Sequence, residues 1–117
     1  MLGRSFAIPG GWIRPHPGVF LWSDIERSRG TYDWKMADWN VMAWQTDRLA
    51  VLATVWPFNS WDQKSCHGDE PKIHPVLREL PRRLFAPCDA AAYRDWLTAL
   101  VERYDGDGVD DMPGLAY

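Results

Sequence analysis

The stretch Ala50-Val51-Leu52-Ala53-Thr54-Val55-Trp56-Pro57-Phe58-Asn59-Ser60-Trp61-Asp62-Gln63 decides how the chain is read. Its first half is a short apolar run containing β-branched Val and Thr. The run is too short for a buried helix and predicts a strand over residues 50–56, covered on both faces. Pro57 has no N–H for a ladder, so the strand stops near Trp56. The run then turns abruptly to Asn, Ser, Trp, Asp and Gln. Polar groups and an indole just past the carboxyl end of a buried parallel strand lie where α/β folds place ligand sites.

Helical patterns flank this strand. Trp34, Ala37, Val41 and Trp44 share one face of a helix expected over residues 34–48. Asp33 is its N-cap, and Lys35, Asp38 and Gln45 fall largely off that face. Further on, Asp89 caps a helix over residues 90–104. Tyr93, Trp96, Leu97, Leu100, Val101 and Tyr104 make its apolar stripe. Upstream, Trp12-Ile13-Arg14 reads as a short buried strand ended by Pro15-His16-Pro17-Gly18, whose prolines enforce extended backbone. Val19 to Trp22 is a further extended piece or a single turn. Ser23 and Glu26 have capping-box spacing for one helical turn, which Gly30 ends. Residues 57–88 read as a long loop with Pro57, Pro71, Pro75, Pro81 and Pro87. Short helical turns are expected in it around Pro75–Leu80 and Arg82–Phe85. A loop of that length is usually functional.

The order strand, helix, strand, helix implies parallel pairing. Two strands do not make a stable parallel sheet alone. A closed barrel of eight βα units takes ~250 residues, and this chain has 117. The expected fold class is therefore α/β, a partial (β/α)8 barrel of about two βα units. Residues 1–117 would form one incomplete domain that needs the remaining strands as partner.

Composition narrows the function. The net charge is −3 and no basic block occurs, which argues against a nucleic-acid partner. No apolar run approaches the ~20 residues that span a bilayer, so no membrane partner is expected. The N-terminus lacks a signal-peptide pattern and leaves export open. Tryptophan is unusually frequent, 8 of 117 residues. Most serve packing, but eight exceed what a core of this size needs, which leaves some to stack on a sugar ring. Cys66 and Cys88 can pair in only one way, and the alternative is two unpaired thiols.

Three segments together resemble the N-terminal part of barrel glycoside hydrolases, the retaining clan of β-galactosidases, β-xylosidases and endoglycanases. The first runs from Trp12-Ile13-Arg14 through Asp24-Ile25-Glu26 and Gly30-Thr31-Tyr32-Asp33-Trp34 to Asp38 and Val41. The second is Val51 to Val55 leading into Trp56-Pro57 and Trp61. The third is Tyr93, Trp96 and Leu97 on a helix ending in Val101-Glu102-Arg103-Tyr104. Arg14-Pro15-His16 is similar to the β-xylosidase-like branch. The resemblance implies hydrolysis of O-glycosidic bonds with retention, a carbohydrate substrate, and a secreted or periplasmic parent protein. It also implies two catalytic Glu, at the ends of a fourth and a seventh strand. The chain's four Glu are Glu26, Glu70, Glu79 and Glu102. None is expected at a strand end, so no catalytic residue is assigned and the chain alone is expected to be inactive.

The candidate substrate-binding residues are Arg14, His16, Trp56, Asn59, Trp61, Asp62 and Gln63. In the resembling clan an arginine placed like Arg14 orients a catalytic carboxylate; otherwise Arg14 is a structural ion pair. His16 would bind a sugar hydroxyl or pack the loop. One of Trp56 and Trp61 would line a sugar subsite and the other pack beneath it. Asn59, Asp62 and Gln63 would bind hydroxyls, or cap the loop's own backbone. No cofactor is expected, with calcium the one open choice. The run Asp105-Gly106-Asp107-Gly108-Val109-Asp110-Asp111 offers Asp105, Asp107 and Asp111 as hard oxygen ligands. Yet a calcium loop's first ligand position falls on Arg103, so a tight solvated turn is the preferred reading. Cys66 and His67 lack zinc-finger spacing. The competing function is a non-catalytic module that binds carbohydrate or is stabilised by calcium.

Overall fold

The computed structural model describes residues 11–67 and 85–115. Among them are two strands and four α-helices in a mixed α/β arrangement. Strand β1 (Gly11–Ile13) pairs in parallel with β2 (Leu49–Val51), Trp12 opposite Ala50. Between them lie a 3-10 turn (Pro17–Phe20), the one-turn helix α1 (Trp22–Ile25) and helix α2 (Lys35–Thr46). Helices α3 (Ser60–Cys66) and α4 (Ala90–Tyr104) follow β2.

The parallel pairing matches expectation, but the strand over residues 50–56 is interrupted. Leu52 N–H still donates to Ile13 O at 2.8 Å. Pairing then lapses and resumes where Leu21 bridges Trp56, with Trp56 N–H on Phe20 O and Trp22 N–H on Trp56 O. The cause lies in the partner chain. Pro15 and Pro17 have no N–H to offer, and the 3-10 turn lifts that chain away from the ladder. Nor is the strand covered on both faces, since Leu52 is 57% exposed.

Both long helices form as their stripes predict. On α2, Ala37 and Val41 are buried, with Trp34 and Trp44 packed beside them. The N-cap is Trp34, without a side-chain cap bond, rather than Asp33, whose Oδ1 accepts the Lys35 N–H at 3.1 Å from one residue further out. On α4, Asp89 accepts the Ala92 N–H at 2.9 Å, and Trp96 and Leu100 are buried. Val101 departs from the expected stripe and is exposed. Asp38, expected off the packed face, joins the helices instead. It accepts Arg103 Nε at 2.8 Å and Tyr104 OH at 2.6 Å. Burial first, and then this bond to Asp38, push the Tyr104 pKa far up. Gln45 likewise reaches across, to Gly114 O at 3.1 Å.

Two other expectations give way. Glu26 does not complete a capping box. It is buried, and its carboxylate accepts Trp22 Nε1–H and Gly30 N–H, each at 2.7 Å. Gly30 sits at φ +82°, a left-handed turn that points its N–H inward. Helix α3 also occupies residues expected to be loop; the side chains it buries are the polar Asp62 and Gln63, so no apolar stripe marks it. The turns expected at 75–80 and 82–85 lie outside the described residues, except Phe85, which is irregular.

The centre of the core is aromatic. Trp22 is fully buried and stacks on Trp96 at 6.0 Å, with Trp61 edge-on at 5.3 Å and Tyr93 tilted at 5.4 Å. Phe20, Ile25, Val41, Leu100 and Met112 complete it. Replacing Glu26 by Ala strands the buried Trp22 indole N–H and frees the Gly30 N–H of the turn, and should lower stability by about 2 kcal/mol in urea unfolding. The exposed change Val101→Ala should stay within about 0.5 kcal/mol in the same measurement.

Candidate functional site

The polar tip beyond β2 is used internally. Asn59, Asp62 and Gln63 are at most 1% exposed. Asn59 Nδ2 donates to Trp22 O at 3.3 Å and to Glu26 O at 2.8 Å. Asp62 accepts Cys88 N–H and Asp89 N–H, one on each oxygen, both at 2.8 Å. Gln63 accepts Phe85 N–H at 2.9 Å and donates to Phe85 O and Ala86 O. All three therefore fasten segment 85–89 and α1 to α3, and their polar atoms do not face a sugar. Their partners are backbone groups 22 to 37 residues away, not the local turn that the loop-capping alternative named.

Trp61 also packs inward. Its Nε1–H donates to Glu26 O at 2.8 Å, and the Arg29 guanidinium lies 4.7 Å over its ring. A sugar would have to displace that cation to stack there. Trp56 is half-buried and tilts against Phe58 at 5.8 Å. Cys66 and Cys88 form the disulfide, joining the end of α3 to the entry of α4.

Arg14 and His16 stay near the strand ends. Arg14 Nε donates to Thr54 Oγ1 at 3.1 Å, so it sits beside the segment that leads to Trp56. His16 Nδ1 accepts Gly18 N–H at 3.1 Å, which leaves the ring proton on Nε2. His16 also lines a pocket of about 280 Å³ with Asp24, Arg27, Asp33, Met36 and Asn40. The β1–α2 connection and the first turns of α2 build it. Val19, Ile25 and Ala37 supply apolar wall. Burial pushes the Asp24 pKa up, partly offset by the Arg27 charge. Asp24, Asp33 and Asn40 are not among the candidate binding residues named from the sequence. They lie 7–16 residues apart along the chain, and only the return of α2 over the loop brings them together.

The acidic turn is a third cluster. Asp105 Oδ1 accepts Asp107 N–H, Asp107 Oδ1 accepts Val109 N–H, and Asp111 Oδ2 accepts Gly108 N–H. These bonds fold the loop on itself, as the solvated-turn reading requires. Carboxylate oxygens of Glu102, Asp105 and Asp107 nevertheless come within 4.8 Å of one another. The Glu102 pKa is raised, first by the Asp105 charge and then by Asp107. The Asp105 pKa is raised chiefly by burial.

A raised carboxylate pKa means that the folded chain holds its proton more tightly than the unfolded chain does. The cost of ionising Glu102 is therefore present above its raised pKa and vanishes as pH falls below 4.5. Glu102→Gln should raise the melting temperature near neutrality in low salt, with the gain fading in acid. Asp89 has the opposite sign. Its pKa is lowered, first by the Ala92 N–H bond and then by Arg29. Asp89→Asn should cost stability above pH 3.8 and cost progressively less below it. No family model, no curated protein and no solved structure matches the chain.

Proposed function

We propose that this chain is the N-terminal part of a retaining (β/α)8-barrel glycoside hydrolase, contributing carbohydrate contacts rather than the catalytic pair. The observation that carries the reading is the pocket beside His16 in a parallel β–α–β unit. Ligand sites of such units lie where the strand hands over to the helix. The lining suits a polyol. Asp24, Asp33 and Asn40 offer acceptors to hydroxyl groups, Arg27 and His16 offer donors, and Val19, Ile25 and Met36 offer apolar surface to ring C–H groups.

Retention needs two carboxyl groups about 5–5.5 Å apart. Glu26 is buried and bonded to Trp22 and Gly30, and Glu102 sits on α4 beside the acidic turn. Neither serves as nucleophile or acid/base in this proposal; Glu70 and Glu79 lie outside the described residues. The pair would come from further barrel strands, which are the partner the proposal requires. Two features support such a partner: among the described residues the sheet has two strands, and Trp12 on β1 is 69% exposed. Among the described residues no helix is long and apolar enough to cross a membrane.

Titration with neutral mono- and oligosaccharides, followed by the backbone amide signals of residues 16–40 in NMR, tests the site. Binding should weaken about tenfold, the effect of ~1.4 kcal/mol, in His16→Ala and in Asp24→Asn. Asn59→Ala should instead lower stability. If no saccharide moves any of these amide signals, the sugar reading fails. If the chain binds sugar tightly but gains no glycosidase activity when joined to further strands, the non-catalytic binding module replaces the hydrolase.

A second reading rests on the convergence of Glu102, Asp105 and Asp107. Calcium held there would relieve the repulsion that raises the Glu102 pKa. Millimolar calcium should then raise the melting temperature of the parent chain and have little effect on Asp107→Asn. An equal shift in both would assign the effect to general screening.

A further inference from the structure

The end of α3 holds a group that neither reading uses. Cys66 Sγ, Cys88 Sγ and a ring nitrogen of His67 lie within 4.8 Å of one another. His67 Nε2 is 2.7 Å from Ala86 O. A carbonyl oxygen only accepts, so Nε2 carries the proton and Nδ1 keeps its lone pair. Phe85 stacks on the ring at 4.8 Å and sets its plane. An imidazole whose N–H is tied to a backbone carbonyl is the usual state of a metal-ligating histidine.

We propose that reduction of the Cys66–Cys88 bond converts this corner into a binding site for a thiophilic cation, zinc or univalent copper. The ligands are two thiolates and His67. A thiol reductant supplies two electrons and is itself oxidised to a disulfide. The Sγ–Sγ bond breaks, and the two sulfurs take up two protons. The cation then displaces both protons and binds the thiolates.

The cysteines stay close once the bond is cut because other contacts hold their backbones. Asp62, four residues before Cys66 on α3, grips Cys88 N–H and Asp89 N–H. Gln63 grips Phe85 and Ala86. Two zinc–sulfur bonds of ~2.3 Å at a tetrahedral angle set the sulfurs roughly 3.7 Å apart. Rotation about the side-chain bonds of residues whose Cα atoms are 5.9 Å apart reaches that spacing without moving the helices. Thiolate and imidazole donors favour zinc and univalent copper over calcium or magnesium. Water completes a zinc tetrahedron.

The test is zinc titration of the full chain, oxidised and reduced with a phosphine, against a chromophoric chelator. The expected result is one tight zinc per reduced chain and none in the oxidised chain. His67→Ala should weaken uptake at least about tenfold. Cys66→Ser with Cys88→Ser should abolish it. Three results overturn the proposal: no uptake by the reduced chain, no effect of His67→Ala, or undiminished uptake by the double serine variant. The last would move the ion to the acidic turn. If reduction alone erases the near-ultraviolet tryptophan signal, zinc must restore it; failure to do so also overturns the proposal.

Discussion

Glu26 is the junction on which the rest of the structure depends. Its carboxylate accepts the Trp22 indole and the Gly30 amide, and its carbonyl accepts Asn59 and the Trp61 indole. Four donors from four places in the chain meet at one buried residue. A buried carboxylate is costly without partners and tolerable only when its lone pairs are filled. Here the filling groups also fix geometry. They aim the Trp22 ring into the core, close the turn at Gly30, and dock α3 against α1. The aromatic cluster of Trp22, Trp61, Tyr93 and Trp96 supplies apolar burial around that junction. The hydrogen bonds decide which way its rings face.

The same logic explains why the polar run after β2 is architectural. A segment with Asn, Asp and Gln beside a buried strand looks like a binding rim. In a small domain the backbone of an irregular segment must also find partners. Asp62 and Gln63 answer the N–H and C=O groups of residues 85–89, which have no ladder of their own. The disulfide acts on the same corner, so a covalent link and polar clamps restrain one junction twice. With the bond closed, two sulfurs and an imidazole lie together at that corner.

The candidate sugar pocket arises from a different part of the fold. It collects His16 from the loop after β1, Asp24 and Arg27 from around α1, and Asp33 and Asn40 from the start of α2. No two of these are neighbours in sequence. Their convergence follows from the turn that Gly30 and Asp33 make, which returns the chain over the loop that holds His16. A proposal of carbohydrate recognition therefore rests on this pocket, and Trp61 contributes packing instead.

What the amino-acid sequence determined by itself is local. Apolar spacing placed α2 and α4 within one or two residues, because a helix buries one face at a period set by its own geometry. Asp89 marked the entry of α4, since a short polar side chain there reaches an open N–H group, whereas the cap of α2 fell on Trp34, one residue past Asp33. Parallel pairing followed from the order of elements, and the two cysteines allowed a single bridge. Tertiary structure decided the rest. Pro15 and Pro17 broke a ladder whose other strand looked continuous, because a strand's length depends on its partner. Glu26, Asp38, Asp62 and Gln63 are polar residues whose roles depend on donors 4 to 66 positions away. No spacing rule reports such distances. Periodicity records what a segment does with its own backbone, whereas a buried polar contact or a pocket is made by whatever the folded chain brings beside it.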